Sequence, residues 1–201
     1  TEGNAAINGT IDAAAKAAVT AGLDAVIDGT VTAGTDAEIT AGEDVALNAD
    51  VTATDNVTIT AANDVTGAGN VTATNAAASI EAGRDVALTG AVVAGTDATV
   101  TAKNNASVAA VTAGNDAVIE ATEGDAELTG AVEAAENVTV AAGKDVTSDS
   151  TITATNGNVE VTAGEDAELT GAVTAGTDAT VTAKVNAAVA DVTAENVTVT
   201  A

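Results

Sequence analysis

The stretch AGEDVALNADVTATDNVTITA, from Ala41 to Ala61, holds one full period of a pattern that fills the chain. Its Leu47, Val51 and Ile59 each belong to an apolar column that recurs every 18 to 21 residues. The first column runs from Ile7 through Leu47 to Val189. The second runs from Ile11 to Val192, and the third from Val19 to Val199. Each has ten members, and their only small or polar ones are Gly67 and Ser148 in the first column. Such a fixed period is the mark of a solenoid. Between the columns apolar and polar residues alternate, as in Val57-Thr58-Ile59-Thr60-Ala61. Period two means strand, with one face buried and one wet.

One coil is therefore expected to be three short strands joined by three corners. Each strand pairs in parallel register with its copy about 4.8 Å away. The predicted fold is all-β: a right-handed three-sided parallel β-helix of about ten coils of ~20 residues, one continuous array over 1–201. The hand follows the preference of parallel crossovers. Ten coils would measure roughly 48 Å. Ala stands two residues after each member of the second column, and a further Ala column runs from Ala21 to Ala201, which implies a thin core. Pro is absent, as expected where every backbone N–H is needed by a neighbouring coil.

The corners carry Ala-Gly-x-Asp, as at Ala21–Asp24, Ala82–Asp85 and Ala163–Asp166. Glycine there is expected to supply positive φ, and the Asp to bond the backbone of its own turn. A longer repeat lies above the coil. Asp85–Lys103 and Asp166–Lys184 match at 16 of 19 positions, 81 residues apart. The unit is four coils. Gly67 and Ser148 share the same offset and mark one weakened rung per unit.

The net charge is -25, with no Cys, His, Met or aromatic residue. High charge without aromatics usually means disorder. Here 46% of the residues are apolar and recur in register, which disorder does not need. So acidic a surface is unsuited to nucleic acid or anionic lipid. No apolar run is long enough to span a membrane. No secretion signal or initiator Met stands at Thr1, so the chain reads as a mature segment or an excerpt. Uncapped coils at either end imply a continuing chain or protomers stacked end to end.

The phrases AGEDVALNADVTA (Ala41–Ala53), AGTDATVTA (Ala94–Ala102 and Ala175–Ala183) and AENVTVTA (Ala194–Ala201) resemble the filamentous haemagglutinin-type repeats of bacterial two-partner-secretion adhesins. The resemblance covers essentially the whole chain. It implies a long β-helical shaft, export across an outer membrane, and attachment to cells or matrices. No segment matches that family's secretion domain, and the chain is more acidic and richer in Ala and Thr.

Candidate sites are few. Asp24, Asp44, Asp64, Asp85, Asp125, Asp145 and Asp166 form one corner column that would bring carboxylates together for Ca²⁺; as the alternative, they cap turns, balanced by Arg84, Lys103, Lys144 and Lys184. No other cofactor is implied. Six Asn-x-Ser/Thr sequons stand at Asn8, Asn56, Asn70, Asn105, Asn137 and Asn196, where glycosylation is possible on an outward corner. Thr-x-Thr rows such as Thr58/Thr60 and Thr180/Thr182 fit ice binding poorly, since Glu38, Glu81, Glu120 and Glu160 interrupt that face. With no His, Cys or Tyr and no unique cleft, catalysis is not expected. A polysaccharide-active enzyme is the remote alternative on this fold. The expected role is an extracellular fibre or adhesin shaft on a microbial surface. A self-assembling filament subunit is the second reading. Its partners would be further copies of itself, or a host or neighbouring cell surface or matrix, with no nucleic acid and no membrane insertion.

Overall fold

The computed structural model describes residues 3–201; Thr1, where the absence of a leader was read, lies outside them, as does Glu2. Among the described residues thirty short strands form three ten-stranded parallel sheets, and each sheet takes every third strand in chain order. The first sheet begins Ala5–Ile7, Ala25–Ile27, Val45–Leu47; the second Ile11–Ala13, Val31–Ala33, Val51–Ala53; the third Ala17–Ala21, Ala37–Ala41, Val57–Ala61. This is the expected three-sided solenoid of about ten coils.

The pairing is in register throughout. Ile27 lies over Ile7 and under Leu47, Val51 over Val31, and Ile59 over Ile39. Each apolar column of the sequence is thus a physical stack running along the coil axis. Two further inward columns complete the core. One begins Ala5, Ala25, Val45 in the first sheet, and the other Ala17, Ala37, Val57 in the third. The alternation within a five-residue strand such as Val57–Ala61 buries Val57, Ile59 and Ala61 while Thr58 is exposed. Burying one Val, Leu or Ile is worth about 1.5–3 kcal/mol, and the core is built almost wholly of these and Ala. Ala201, assigned by period to the third strand, falls one residue past its last strand, Asn196–Thr200.

Glycine does not play the part its corner position implied. The one described residue with positive φ is Gly67, at 147°, and it sits at a strand end in the first column. The corner glycines serve close approach instead. A Cβ on Gly34, Gly42, Gly114 or Gly164 would collide with a carbonyl oxygen of the coil beneath. At these glycines the chain packs so close to the coil beneath that a Cβ has no room. Gly67 meets both conditions, since its Cβ would strike the Leu47 carbonyl. Ser148, one four-coil unit later, solves the same rung differently. It is 4% exposed, and its hydroxyl donates to the Ser150 carbonyl at 3.1 Å. No buried side-chain polar atom among the described residues lacks a partner.

Two substitutions separate these contributions. Ile119→Ala removes a fully buried side chain and is expected to cost about 2–5 kcal/mol. Gly164→Ala should cost about 1–3 kcal/mol through overpacking, while Gly9→Ala, whose Cβ meets nothing within 4 Å, should be near neutral. Guanidinium unfolding followed by circular dichroism checks all three.

Candidate functional site

Most of the ionisable side chains stand on the corners, since the strands carry chiefly Ala, Val, Ile, Leu and Thr, with Glu38, Glu81, Glu120, Glu127, Glu133, Glu160 and Glu168 on their outward faces. The corner between the third and first sheets carries the acidic column. Here the Asp side chains do not close their own turns. Each bonds upward to the next coil. Asp24 Oδ1 accepts the Asp44 N–H at 3.3 Å, Asp44 accepts from Asp64 at 3.1 Å, and Asp64 from Asp85 at 3.2 Å. Asp85 accepts from Asn105 at 2.9 Å, and the ladder continues through Asp125 and Asp145 to Asp166. The expected local turn is replaced by a rail between coils. The physical reason is proximity: with coils in register, the next N–H in the stack lies directly above each Asx oxygen.

This rail settles how like charges share a column. Two carboxylates ~4.8 Å apart repel by roughly 0.9 kcal/mol in water. A hydrogen bond to a charged acceptor contributes about 1.5–3 kcal/mol, so the ladder outweighs the repulsion. Asn105 and Asn186 interrupt the run, and their side-chain amides donate to Asp85 at 3.0 Å and Asp166 at 2.9 Å. Each carboxylate of the ladder from Asp24 to Asp145 spends one oxygen on backbone, and Asp166 spends one on the Asn186 amide. Among the described residues no group of three or more acidic side chains gathers around one point to hold a metal. The calcium candidates therefore stand in line, one per coil.

The cations are placed less regularly than the column implied. Arg84 reaches back to Asp64, with Nε 3.0 Å from Oδ1 and a second, shorter contact from Nη2 to Oδ2. The Arg84 hydrogen bond holds the Asp64 carboxyl below its usual range against the opposing effect of burial, and Asp64 raises the guanidinium in turn. Lys103 pairs with Glu123 at 3.8 Å rather than with the column, and Lys16 pairs with Glu38. Among the described residues Lys144 and Lys184 have no ion-pair partner. Only one of the four expected corner cations thus neutralises a column Asp.

A second Asx rail runs along the corner between the second and third sheets. Asp36 accepts both the backbone and the side-chain N–H of Asn56, at 3.2 and 2.9 Å. The amide bond is the main cause of a lowered Asp36 carboxyl. Asp116, Asn137, Asn158 and Asp178 repeat the pattern, with N–H donors at 2.9, 2.9 and 3.1 Å. Asn158 lies outside any sequon and was not singled out by the sequence, although its place in the Asx spacing is the signal. The sequons divide accordingly. Asn56, Asn70, Asn105 and Asn137 are tied on both sides, amide nitrogen to an Asp below and oxygen to an N–H above. Asn196 donates to Asp178 at 2.6 Å, and Asn8 is exposed with no side-chain bond.

Shallow concavities mark the outer surface, among them pockets lined by Asn105, Ser107 and Asp125 and by Asp116, Asn137 and Glu160. A pocket of about 230 Å³ lies beside the Ser148 rung, lined by Glu127, Thr129, Thr147, Glu168 and Thr170 among others. It holds acids and hydroxyls but no cation, nucleophile pair or aromatic platform. Comparison with protein-family models, with characterised proteins and with solved structures finds no match.

The Asp64 position tests the rail. Asp64→Asn keeps the acceptor for the Asp85 N–H and should lose only the small contribution of the Arg84 pair. Asp64→Ala loses the rail bond as well and should cost about 0.5–1.5 kcal/mol more. Because the folded carboxyl is lowered, the pair's contribution is fully present above the ordinary Asp value of about 3.9 and is lost as pH falls through the depressed folded value. Stability of wild type minus Asp64→Asn, measured by thermal melting from neutral to acid pH, should be constant and then shrink.

Proposed function

We propose that this chain is a length of extracellular shaft, a structural fibre or adhesin stalk that projects from a microbial cell surface and performs no catalysis. The observation that carries the reading is the uniformity of the stack: ten equivalent coils with every strand paired to its copy and Asx rails along the corners. A rod of this kind transmits force and sets a distance, because each coil is bonded along its whole perimeter to the next. The pocket beside Ser148, lined by acids and hydroxyls, does not bring together a nucleophile, a base and an oxyanion donor. The likeness of phrases such as AGTDATVTA to haemagglutinin-type repeats supports the same role.

Charge fits an exposed setting. A net 25 negative charges over roughly 48 Å is about one per 1.9 Å of axis, close to the ~1.7 Å of duplex DNA. Rods so charged repel one another sideways and stay soluble. Lateral bundling is thus opposed, and adhesion, where it occurs, would be distributed over the repeated outward Thr, Asp and Glu of the sheets.

The second reading is a filament subunit that stacks on further copies of itself. It is favoured by the in-register stack itself, in which any coil of parallel strands can pair with a further one.

Gold-labelled antibody against the chain, applied to intact cells of the source, should decorate surface fibres; label confined to the cell interior would overturn the shaft. Purified chain examined by electron microscopy distinguishes the second reading. Single-file filaments that Val197→Asp and Val199→Asp abolish would favour the subunit, and monodisperse short rods would oppose it.

A further inference from the structure

The corner between the second and third sheets is three residues long in most coils, as at Thr54-Asp55-Asn56 between Val51–Ala53 and Val57–Ala61. Two coils carry a fourth residue there. One corner is Thr74-Asn75-Ala76-Ala77, between Val71–Ala73 and Ala78–Ala82. The other is Thr155-Asn156-Gly157-Asn158, between Ile152–Ala154 and Val159–Ala163. They are 81 residues apart, one four-coil unit. The rail steps over the additional residue in both cases. Ala77 and Asn158 donate their N–H to Asn56 and Asn137 below, and the N–H groups of Asn75 and Asn156 go to the carbonyls of Thr54 and Ala135. The N–H groups of Ala76 and Gly157 have no acceptor among the described residues, and their carbonyls still accept from Thr96 and Thr177 at 3.1 Å.

Asn156 and Asn75 are exposed, and neither side chain makes a hydrogen bond. They differ in this from Asn56, Asn70, Asn105 and Asn137, whose amides the rails hold from both sides. An unbound asparagine amide followed by a free backbone N–H has an intramolecular reaction open to it. The following nitrogen attacks Cγ, ammonia leaves, and a five-membered succinimide closes. Water then opens the ring at either carbonyl, giving aspartate or isoaspartate. No other reactant is required. Glycine as the second residue favours the step, since it has no Cβ and reaches the backbone conformation the ring needs.

We propose that Asn156 is a self-modifying site of the folded rod, converting to aspartate and isoaspartate through attack by the Gly157 nitrogen. Asn75, in the corresponding corner but followed by Ala76, is its built-in slow counterpart. The product adds one negative charge at the corner. Where isoaspartate forms, it also lengthens the main chain by one carbon between Ala154 and Val159, at a corner already out of step with its neighbours. The backbone of Asn156 lies close beneath Gly176, so the added length has to bulge outward, away from the stack.

The test is a time course of the whole folded chain at mildly alkaline pH in ¹⁸O-labelled water, with peptide mapping that separates aspartate from isoaspartate. Asn156 and Asn8, which is likewise exposed, unbound and followed by a glycine, should convert first, with one labelled oxygen taken up per event. Asn75 should convert about tenfold more slowly, because alanine is more restricted than glycine, and the rail asparagines more slowly still. Asn156→Gln should abolish the signal of the peptide that spans residue 156 and leave that of Asn8 unchanged. Gly157→Ala, which sets a Cβ 2.5 Å from Asn137 Oδ1 and from the Glu136 carbonyl and is therefore first checked for an unchanged circular dichroism spectrum, should bring Asn156 down to the Asn75 rate. The proposal is overturned if Asn156 stays an amide in the folded chain while converting in denaturant, or if Asn75 or a rail asparagine converts as fast.

Discussion

Everything in this molecule depends on one distance, the strand spacing of about 4.8 Å at which each coil sits on the last. At that spacing every residue has its own equivalent as nearest neighbour above and below. A side chain is therefore acceptable only if it packs against copies of itself. Val, Ile, Leu and Ala satisfy this in the seven inward columns, and Thr does so outside. At Gly34, Gly42 and Gly164 the chain packs so close to the coil below that its carbonyl occupies the place of a side chain.

The corner acids show how the stack tolerates a net charge of -25. Like charges are brought together by the register, which should drive the coils apart. The register also places an N–H above each Asx oxygen, and the bond so formed offsets the repulsion. Asn at intervals, and Arg84 at Asp64, relieve the column further. The charge that remains faces water, where it keeps rods apart. Fold and surface are in this sense one device: the repeat that aligns the core also aligns the rail.

Irregularity is confined to places the stack can bypass. Gly67 and Ser148 replace a large apolar residue in the first column, one with positive φ and the other with an internally bonded hydroxyl. The four-residue corners at Asn75 and Asn156 push one residue out of the rail without breaking it. Both kinds of departure recur with the 81-residue unit, which places them in the repeat itself rather than in chance variation.

Nearly all of the fold was legible in the chain. Period 20 gave the coil and period two the strands, and both are properties of residue order that a solenoid converts directly into position. The columns through Leu47, Val51 and Ile59 needed no structure to be found. What sequence could not decide was where the corner groups point. Asp44 was compatible with a turn bond, a calcium ligand or a bond to the next coil, and residue order does not distinguish them. Only the tertiary stack, by setting Asp64 N–H 3.1 Å from Asp44 Oδ1, made the last of these the bond that forms. The same holds for glycine: its corner position implied positive φ, while the coil beneath shows that space was the requirement at Gly34, Gly42 and Gly164. Local order determined which residues are equivalent, and the contact between equivalents, which exists only once the chain is coiled, decided what each of them does.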